Sequence, residues 1–307
     1  MQRRDFLKRS AATLAAAGAV CSMSDAGAEV GRHRPLGLQL YTVMPMLEKD
    51  FSGTLAAVAK MGYREVETIG SFGRDPSHVR ELFHEHGLVS PSQHMVPGDL
   101  YKVFQRLTQG EMSAADASRH WREVMSFQRV EPIMEECIPL AHALGQKYIV
   151  WQILWEEQMR TRADLEQFCK ALNTAGRMCR QEGLVLNYHN HAAEFSPHDG
   201  VVPYDFVLAN TDPELVKLEL DLFWAVKAGA DPRVYFKNHP GRYRQCHLKD
   251  GTSAGQITTV GEGMMRFQEL IPAARKAGIE HYYVEQDGAP EPMKASAQAF
   301  DFLSRWF

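Results

Sequence analysis

From Pro35 onward the chain repeats one pattern, a short apolar run followed by a longer stretch with helical spacing. LGLQLYTV (36–43) reads as a first strand, and DFSGTLAAVAKMG after it as a helix ending at Gly62. YREVETIG follows as strand two, PSHVRELFHEHG as a helix closed by Gly87, and LVSPSQHM as strand three, whose proline predicts an irregular end. Residues 98–143 look helical, and QKYIVWQI is strand four. In the second half the strands are LVLNYHNH, LVKLELDLFW, YRQCHLKDG and HYYVEQDG. Helical stretches such as TRADLEQFCKALNTAGRMCRQEG and GEGMMRFQELIPAARKAG alternate with them. Eight strands alternating with about eight helices, with no separate block of either, predict a parallel sheet covered by helices. Eight repeats favour a closed α/β (β/α)8 TIM barrel, a single domain, over an open sheet.

The chain is long enough for such a barrel, with 307 residues, 45% of them hydrophobic, and a net charge of −4. Its 34 Lys+Arg against 38 Asp+Glu give no basic face, so nucleic acid is not an expected partner.

The first residues are set apart from the barrel. MQRRDFLKRSAATLAAAGAVCSMSDAGA has a charged start, a short apolar middle and a small-residue end. RRDFLK resembles the twin-arginine consensus, which implies a Tat signal peptide over residues 1–28 and export of a folded protein to the periplasm. Ala26-Gly27-Ala28 reads as the cleavage site, leaving a mature barrel domain over 29–307. The apolar stretch is shorter than the roughly 20 residues that span a bilayer, so no membrane association is expected after cleavage. Val20 argues against a lipoprotein at Cys21. The other cysteines, Cys137, Cys169, Cys179 and Cys246, contain no C-x-x-C pair and are expected to be reduced and buried.

Catalytic groups of a (β/α)8 barrel sit where its strands end. Here strand two ends in Glu67, three in His94, and four in Trp151 and Gln152. Strand five ends in His189, Asn190 and His191, and strand six in Glu219 and Asp221. Strand seven gives His247, Lys249 and Asp250; strand eight gives Glu285 and Asp287. Converging carboxylates cost several kcal/mol unless a cation or a network compensates them. A mixed carboxylate and imidazole set without thiolate suits one divalent metal, Mn, Mg, Co or Zn. Alternation puts Asn187, His189 and His191 on one face, and Glu219 with Asp221 on another, with Asp221 nearer the strand end. Glu67, His94, Gln152 and Trp224 are candidate substrate contacts; Trp151, Trp155 and Phe223 are further aromatics near strand ends. GEG (261–263) lacks the lysine and full glycine pattern of a phosphate loop and is expected to open a helix.

ELDLFWAVKAG, HLKDG and VEQD resemble the sugar isomerase and epimerase group of xylose-isomerase-like barrels, relatives of ketose 3-epimerases and inosose dehydratases. The resemblance covers nearly all of residues 35–307. It implies one divalent metal held from strands five to eight, and Asp221, His247 and Glu285 carry over directly. Where many relatives end strand five in a Glu followed by Asn-His, this chain has YHNH. Aligning the shared Asn-His places His189 at the glutamate, with Asn187 as the alternative ligand. That departure removes a carboxylate which often serves ketose 3-epimerases as an acid/base group.

The resulting expectation is a metal-dependent isomerase or epimerase acting on a sugar or related hydroxy-carbonyl compound through an enediolate. Glu194, His191 and Lys249 are its candidate proton carriers or oxygen polarisers, with Glu194 expected on a loop over the barrel mouth. One alternative is a lyase or dehydratase of a 3-keto-glycoside or inosose; another is a periplasmic carbohydrate-binding protein without turnover. The partner is in each case a small sugar-like molecule, and the sequence is compatible with an oligomer.

Overall fold

The computed structural model describes residues 34–307. The signal-peptide reading, with Cys21, the Ala26-Gly27-Ala28 site and Glu29, lies outside the described residues.

Eight parallel strands close into one barrel: β1 (Leu36–Gln39), β2 (Glu65–Ile69), β3 (Val89–His94), β4 (Tyr148–Trp151), β5 (Val185–His189), β6 (Val216–Asp221), β7 (Tyr243–Leu248) and β8 (His281–Val284). Closure is made by β1 and β8, with Leu36 opposite Tyr282 and Leu38 opposite Val284. The alternation in the sequence is thus a (β/α)8 barrel.

Helices start and stop where side chains satisfy their free backbone groups. After β1, Gln39 accepts the Tyr41 N–H and a 3-10 turn over Leu40–Val43 leads into α1 (Met44–Lys49), so LYTV is not strand. Asp50 caps α2 (Phe51–Met61), which ends at Gly62 with φ of 116°. Asp75 caps α3 (Pro76–Glu85). The long helical region after β3 is not one helix: α4 (Leu100–Thr108) and α5 (Ala114–Val124) form an insertion at the β3 exit before the return helix α6 (Val130–Leu144). A capping box at Thr161 and Asp164 opens α7 (Arg162–Gln181), and α8 (Pro203–Asn210) follows β5. Asp221 ends β6 and caps α9 (Leu222–Lys227), so Phe223 and Trp224 are helical, and α10 (Pro232–Asn238) completes that return. The last helices are α11 (Phe267–Lys276) and α12 (Pro292–Leu303).

Pro91 lies inside β3 rather than ending it. The β2–β3 register steps from Glu65 opposite Val89 to Glu67 opposite Ser92, so the extra residue at Ser90–Pro91 is absorbed as a bulge. GEG does not open a helix, because α11 starts only at Phe267. Instead the buried Asp250 carboxylate accepts from Gly251 N (2.8 Å), Met265 N (3.0 Å), Gly261 N (3.0 Å) and Gly263 N (3.1 Å), which folds that loop beside the barrel mouth.

Outward-facing strand residues pack apolar side chains against the helices, as Tyr188 does on Phe168 of α7, at 5.1 Å between rings. The inward layer is polar: Asn187 donates to Gln245, whose amide donates to Tyr283 Oη at 3.4 Å. Gly37 leaves room there, since a Cβ would come within 2.5 Å of the Tyr283 ring. Cys137, Cys169, Cys179 and Cys246 are free and buried, as expected.

Candidate active site

At the C-terminal mouth, inward-pointing residues from six strands converge. Glu67 of β2 accepts from Gln39 Nε2 (2.8 Å) and Ser92 Oγ (2.6 Å), and its Oε2 lies 2.7 Å from His247 Nε2. Oε2 of Glu219 on β6 is shared by three imidazoles, His94 (2.9 Å), His189 (3.1 Å) and His247 (3.3 Å). On the other side of His247, Nδ1 meets Glu285 Oε2 at 2.8 Å. The Lys249 ammonium then bridges Asp287 (2.6 Å), Glu285 (2.9 Å) and Asp221 (3.4 Å). Burial compensated by opposite charge explains why such a cluster is stable.

Among the described residues two groups are compact enough to hold a cation, each with its ligand atoms within 4.8 Å: Asp221, His247 and Glu285, and His94, His189, Glu219 and His247. Three of the four expected ligands therefore meet at one point. His189 belongs to the neighbouring group, its ring centroid 4.6 Å from that of His247. Asn187, the alternative ligand, lies one layer deeper, bonded to Gln245. The donors fit a divalent metal: they are nitrogen and oxygen without sulfur, and Asp221 Oδ2 and Glu219 Oε1 are buried without a hydrogen-bond partner. Asp221 divides its labour, with Oδ1 capping α9 through Trp224 N at 2.9 Å and Oδ2 left toward His247 and Glu285.

The charges follow from these contacts. Burial lowers His94, but Glu67 and Glu219 outweigh it and hold the imidazole up at about 9. Burial likewise opposes charge on His247, and Glu219 and Glu285 push it well above the ordinary value. Burial disfavours a charged Lys249, yet Glu285, Asp221 and Asp287 keep it protonated. His191 is different: burial, then the charges of His189 and Lys249, press it well below 6.5, so it is a neutral imidazole. Its Nδ1 has no partner. Burial raises Asp287 above the usual carboxylate range, against the pull of Lys249.

Above the cluster opens a cavity of about 270 Å³ onto which His94, Gln152, His189, His191, Lys249, Glu285 and Asp287 face. The expected parity does not carry to His191, because β5 ends at His189, but the following loop still presents His191 to the cavity. Glu67 lies beneath the floor. Trp224 stands behind His191 and Lys249, its ring 5.9 Å from the imidazole and 5.1 Å from the ammonium. Among the other aromatics singled out, Trp155 lines the cavity, whereas Trp151 packs outward on Phe168 at 5.7 Å and Phe223 is buried.

The expected place of Glu194 needs correction. A 3-10 turn over Ala193–Phe195 folds it inward, where Oε1 accepts from His191 N (2.9 Å) and Tyr188 Oη (3.0 Å); it is fully buried and does not line the cavity. Burial raises its carboxyl to about 7. Strand position alone ranks Glu219 below Asp221 and leaves Asn190 without a task. Asn190 Oδ1 accepts from Asp221 N at 3.1 Å and ties the end of β5 to the end of β6. The α4–α5 wall carries no expectation from the sequence either, although the i, i+3, i+6 spacing of the apolar Tyr101, Phe104 and Leu107 signals one helix face.

Residues 55–306 match the model of a family described as the xylose isomerase-like TIM barrel. The chain belongs to that family. Two solved structures of sugar phosphate isomerase/epimerases from Parabacteroides distasonis superpose with TM-scores of 0.72 and 0.71. They are 23% and 25% identical, and the alignments cover 91% and 89% of this chain and 96% and 98% of theirs. An inosose dehydratase of Lacticaseibacillus casei is 25% identical over 197 residues, 53% of this chain and 65% of that protein, just under two thirds of its length. The likeness to the solved structures is one of fold, over nearly the whole described chain.

Proposed function

We propose that this protein is a metal-dependent lyase or dehydratase that removes the proton next to a carbonyl of a sugar-like ring and expels the oxygen substituent one carbon further on. The observation that carries this reading is the division of the cavity: its two carboxylates, Glu285 and Asp287, both lie at the end of β8, while the β5 side presents His189 and His191. The acid/base carboxylate of ketose 3-epimerases is thereby replaced with a histidine that is already engaged by Glu219. Similarity to an inosose dehydratase supports the same direction.

Asp221, His247 and Glu285 would hold one divalent metal, with His189 in the neighbouring group beside it, and the metal would supply Lewis-acid polarisation of the carbonyl and the adjacent hydroxyl. The neutral His191 takes the proton on its free Nδ1. The electron pair of the broken carbon–hydrogen bond forms the new carbon–carbon double bond as the carbon–oxygen bond breaks, its electrons leaving on oxygen. Lys249 holds negative charge developing on oxygen, and Asp287, whose carboxyl burial raises above the ordinary range, faces the cavity as the acid that hands a proton to the departing oxygen. Glu194 fixes the loop that aims His191.

A second reading, isomerase or epimerase, is favoured by one observation: His191 and Asp287 face one cavity and could serve opposite sides of a ring. Incubation in deuterium oxide with ketoses and 3-keto-glycosides separates the readings. Deuterium incorporation with release of an alcohol or water supports the lyase. Incorporation with inversion and no release supports the epimerase, and binding without exchange supports a carbohydrate-binding protein.

We further propose that residues 1–28 direct export by the twin-arginine pathway and that the mature domain, 29–307, works in the periplasm; RRDFLK and Ala26-Gly27-Ala28 support this.

A further inference from the structure

The mouth is larger and more apolar than a single sugar ring requires. Beyond the polar floor, α4 and α5 stand over the β3 and β4 exits and build one wall from Tyr101, Phe104 and Trp121. Trp155 faces the same cavity from the loop after β4. Phe104 is locked edge-to-face on Tyr41 at 5.2 Å, so the wall is braced against the loop after β1.

Three polar atoms in this wall have no protein partner: the indole N–H groups of Trp121 and Trp155, and Gln152 Oε1, whose amide nitrogen is spent on Met95 O at 2.6 Å. Buried polar groups left unpaired cost stability, and these three, two donors and one acceptor, belong to side chains that line the cavity. The charge balance excludes one class. Lys249 is the one lysine or arginine among the lining residues, and it is held by three carboxylates. A phosphate dianion would find no arginine and no free lysine there, and the charged His94 is already engaged by Glu67 and Glu219.

We propose that the α4–α5 wall is a substituent subsite, and that the substrate is an uncharged sugar-like ring bearing an aromatic group, such as a phenolic glycoside, rather than a free sugar or a sugar phosphate. The ring portion rests on the reaction proposed above; the subsite does not.

The test is calorimetric titration of the full-length mature protein with phenyl β-glucoside, methyl β-glucoside and glucose 6-phosphate. Burying an aromatic ring predicts that the phenyl compound binds at least about tenfold more tightly than the methyl compound. Trp155→Ala and Phe104→Ala should each reduce that ratio about threefold or more while methyl glucoside affinity stays unchanged, which also reports an intact fold. Equal affinities, no binding of the phenyl compound, a ratio indifferent to both variants, or tightest binding of the phosphate would each overturn the proposal. A protein that prefers the phenyl glycoside yet exchanges no substrate hydrogen keeps the subsite and loses the reaction. One that exchanges hydrogen without that preference keeps the reaction and loses the subsite.

Discussion

His247 and Glu285 approach within 2.8 Å, although the residue paired with His247 across β7 and β8 is Tyr283. Glu285 thus stands one inward layer above its neighbour and reaches back down to the imidazole, leaving His247 between Glu285 on one nitrogen and Glu67 on the other. An imidazole held on both nitrogens cannot rotate, which fixes the site at which a metal would bind.

Asp221→Asn separates the two tasks of that residue. The amide oxygen keeps the α9 cap, while the ligand atom is lost. Elemental analysis of purified protein should show metal reduced at least tenfold with a nearly unchanged melting curve, and Glu285→Gln should behave alike. Full occupancy in both variants would move the centre to His94, His189 and Glu219.

For His191→Gln, turnover and substrate hydrogen exchange should drop by about 10²-fold or more while metal content is retained. Normal exchange rates would assign the proton to another group.

Glu194 makes stability depend on pH. Its folded carboxyl titrates at about 7 against an ordinary 4.5, so the folded protein holds the proton more tightly than the unfolded chain. Stability from this group is complete below about 4.5 and is lost as pH rises through about 7, by roughly 3 kcal/mol at about 1.4 kcal/mol per unit. Glu194→Gln retains the acceptor for His191 N–H and Tyr188 Oη and cannot ionise. Urea unfolding at pH 5 to 8 should show wild type weakening toward pH 8 and the variant flat across that step, with turnover lowered less than about tenfold. A parallel decline in both proteins would refute this account.

Asp250→Ala leaves four backbone N–H groups without their acceptor. A loss of about 2–4 kcal/mol is expected, since hydrogen bonds to charged groups contribute more than neutral ones. Denaturant melts read it directly, and hydrogen exchange should show the loss concentrated at residues 251–265.

Replacing Arg3 and Arg4 with Lys should hold the precursor in the cytoplasm, visible by fractionation as an uncleaved, larger species. Unchanged export would exclude the twin-arginine route.

Much of the molecule was legible in the order of residues. The alternation of strand and helix patterns dictates a closed parallel barrel, because each amphipathic helix must cover the outer face of the strands it joins. The same alternation, with polar residues at each strand end, locates the site at the C-terminal mouth and identifies Asp221, His247, Glu285, His191 and Lys249 as residues that meet there. What sequence could not decide was set by contacts across the barrel. Glu67 and His247 touch over a separation of 180 positions, and Glu219 is claimed by three imidazoles from three strands. Strand parity gives a face only while the strand lasts. Local hydrogen bonds decided where β5 and β6 stop, and with that whether His191 and Glu194 point into the cavity or behind it. The α4–α5 wall had the spacing of two ordinary amphipathic helices. Only packing over the mouth made their aromatic face part of the site, because which surface a helix covers depends on where the barrel holds it.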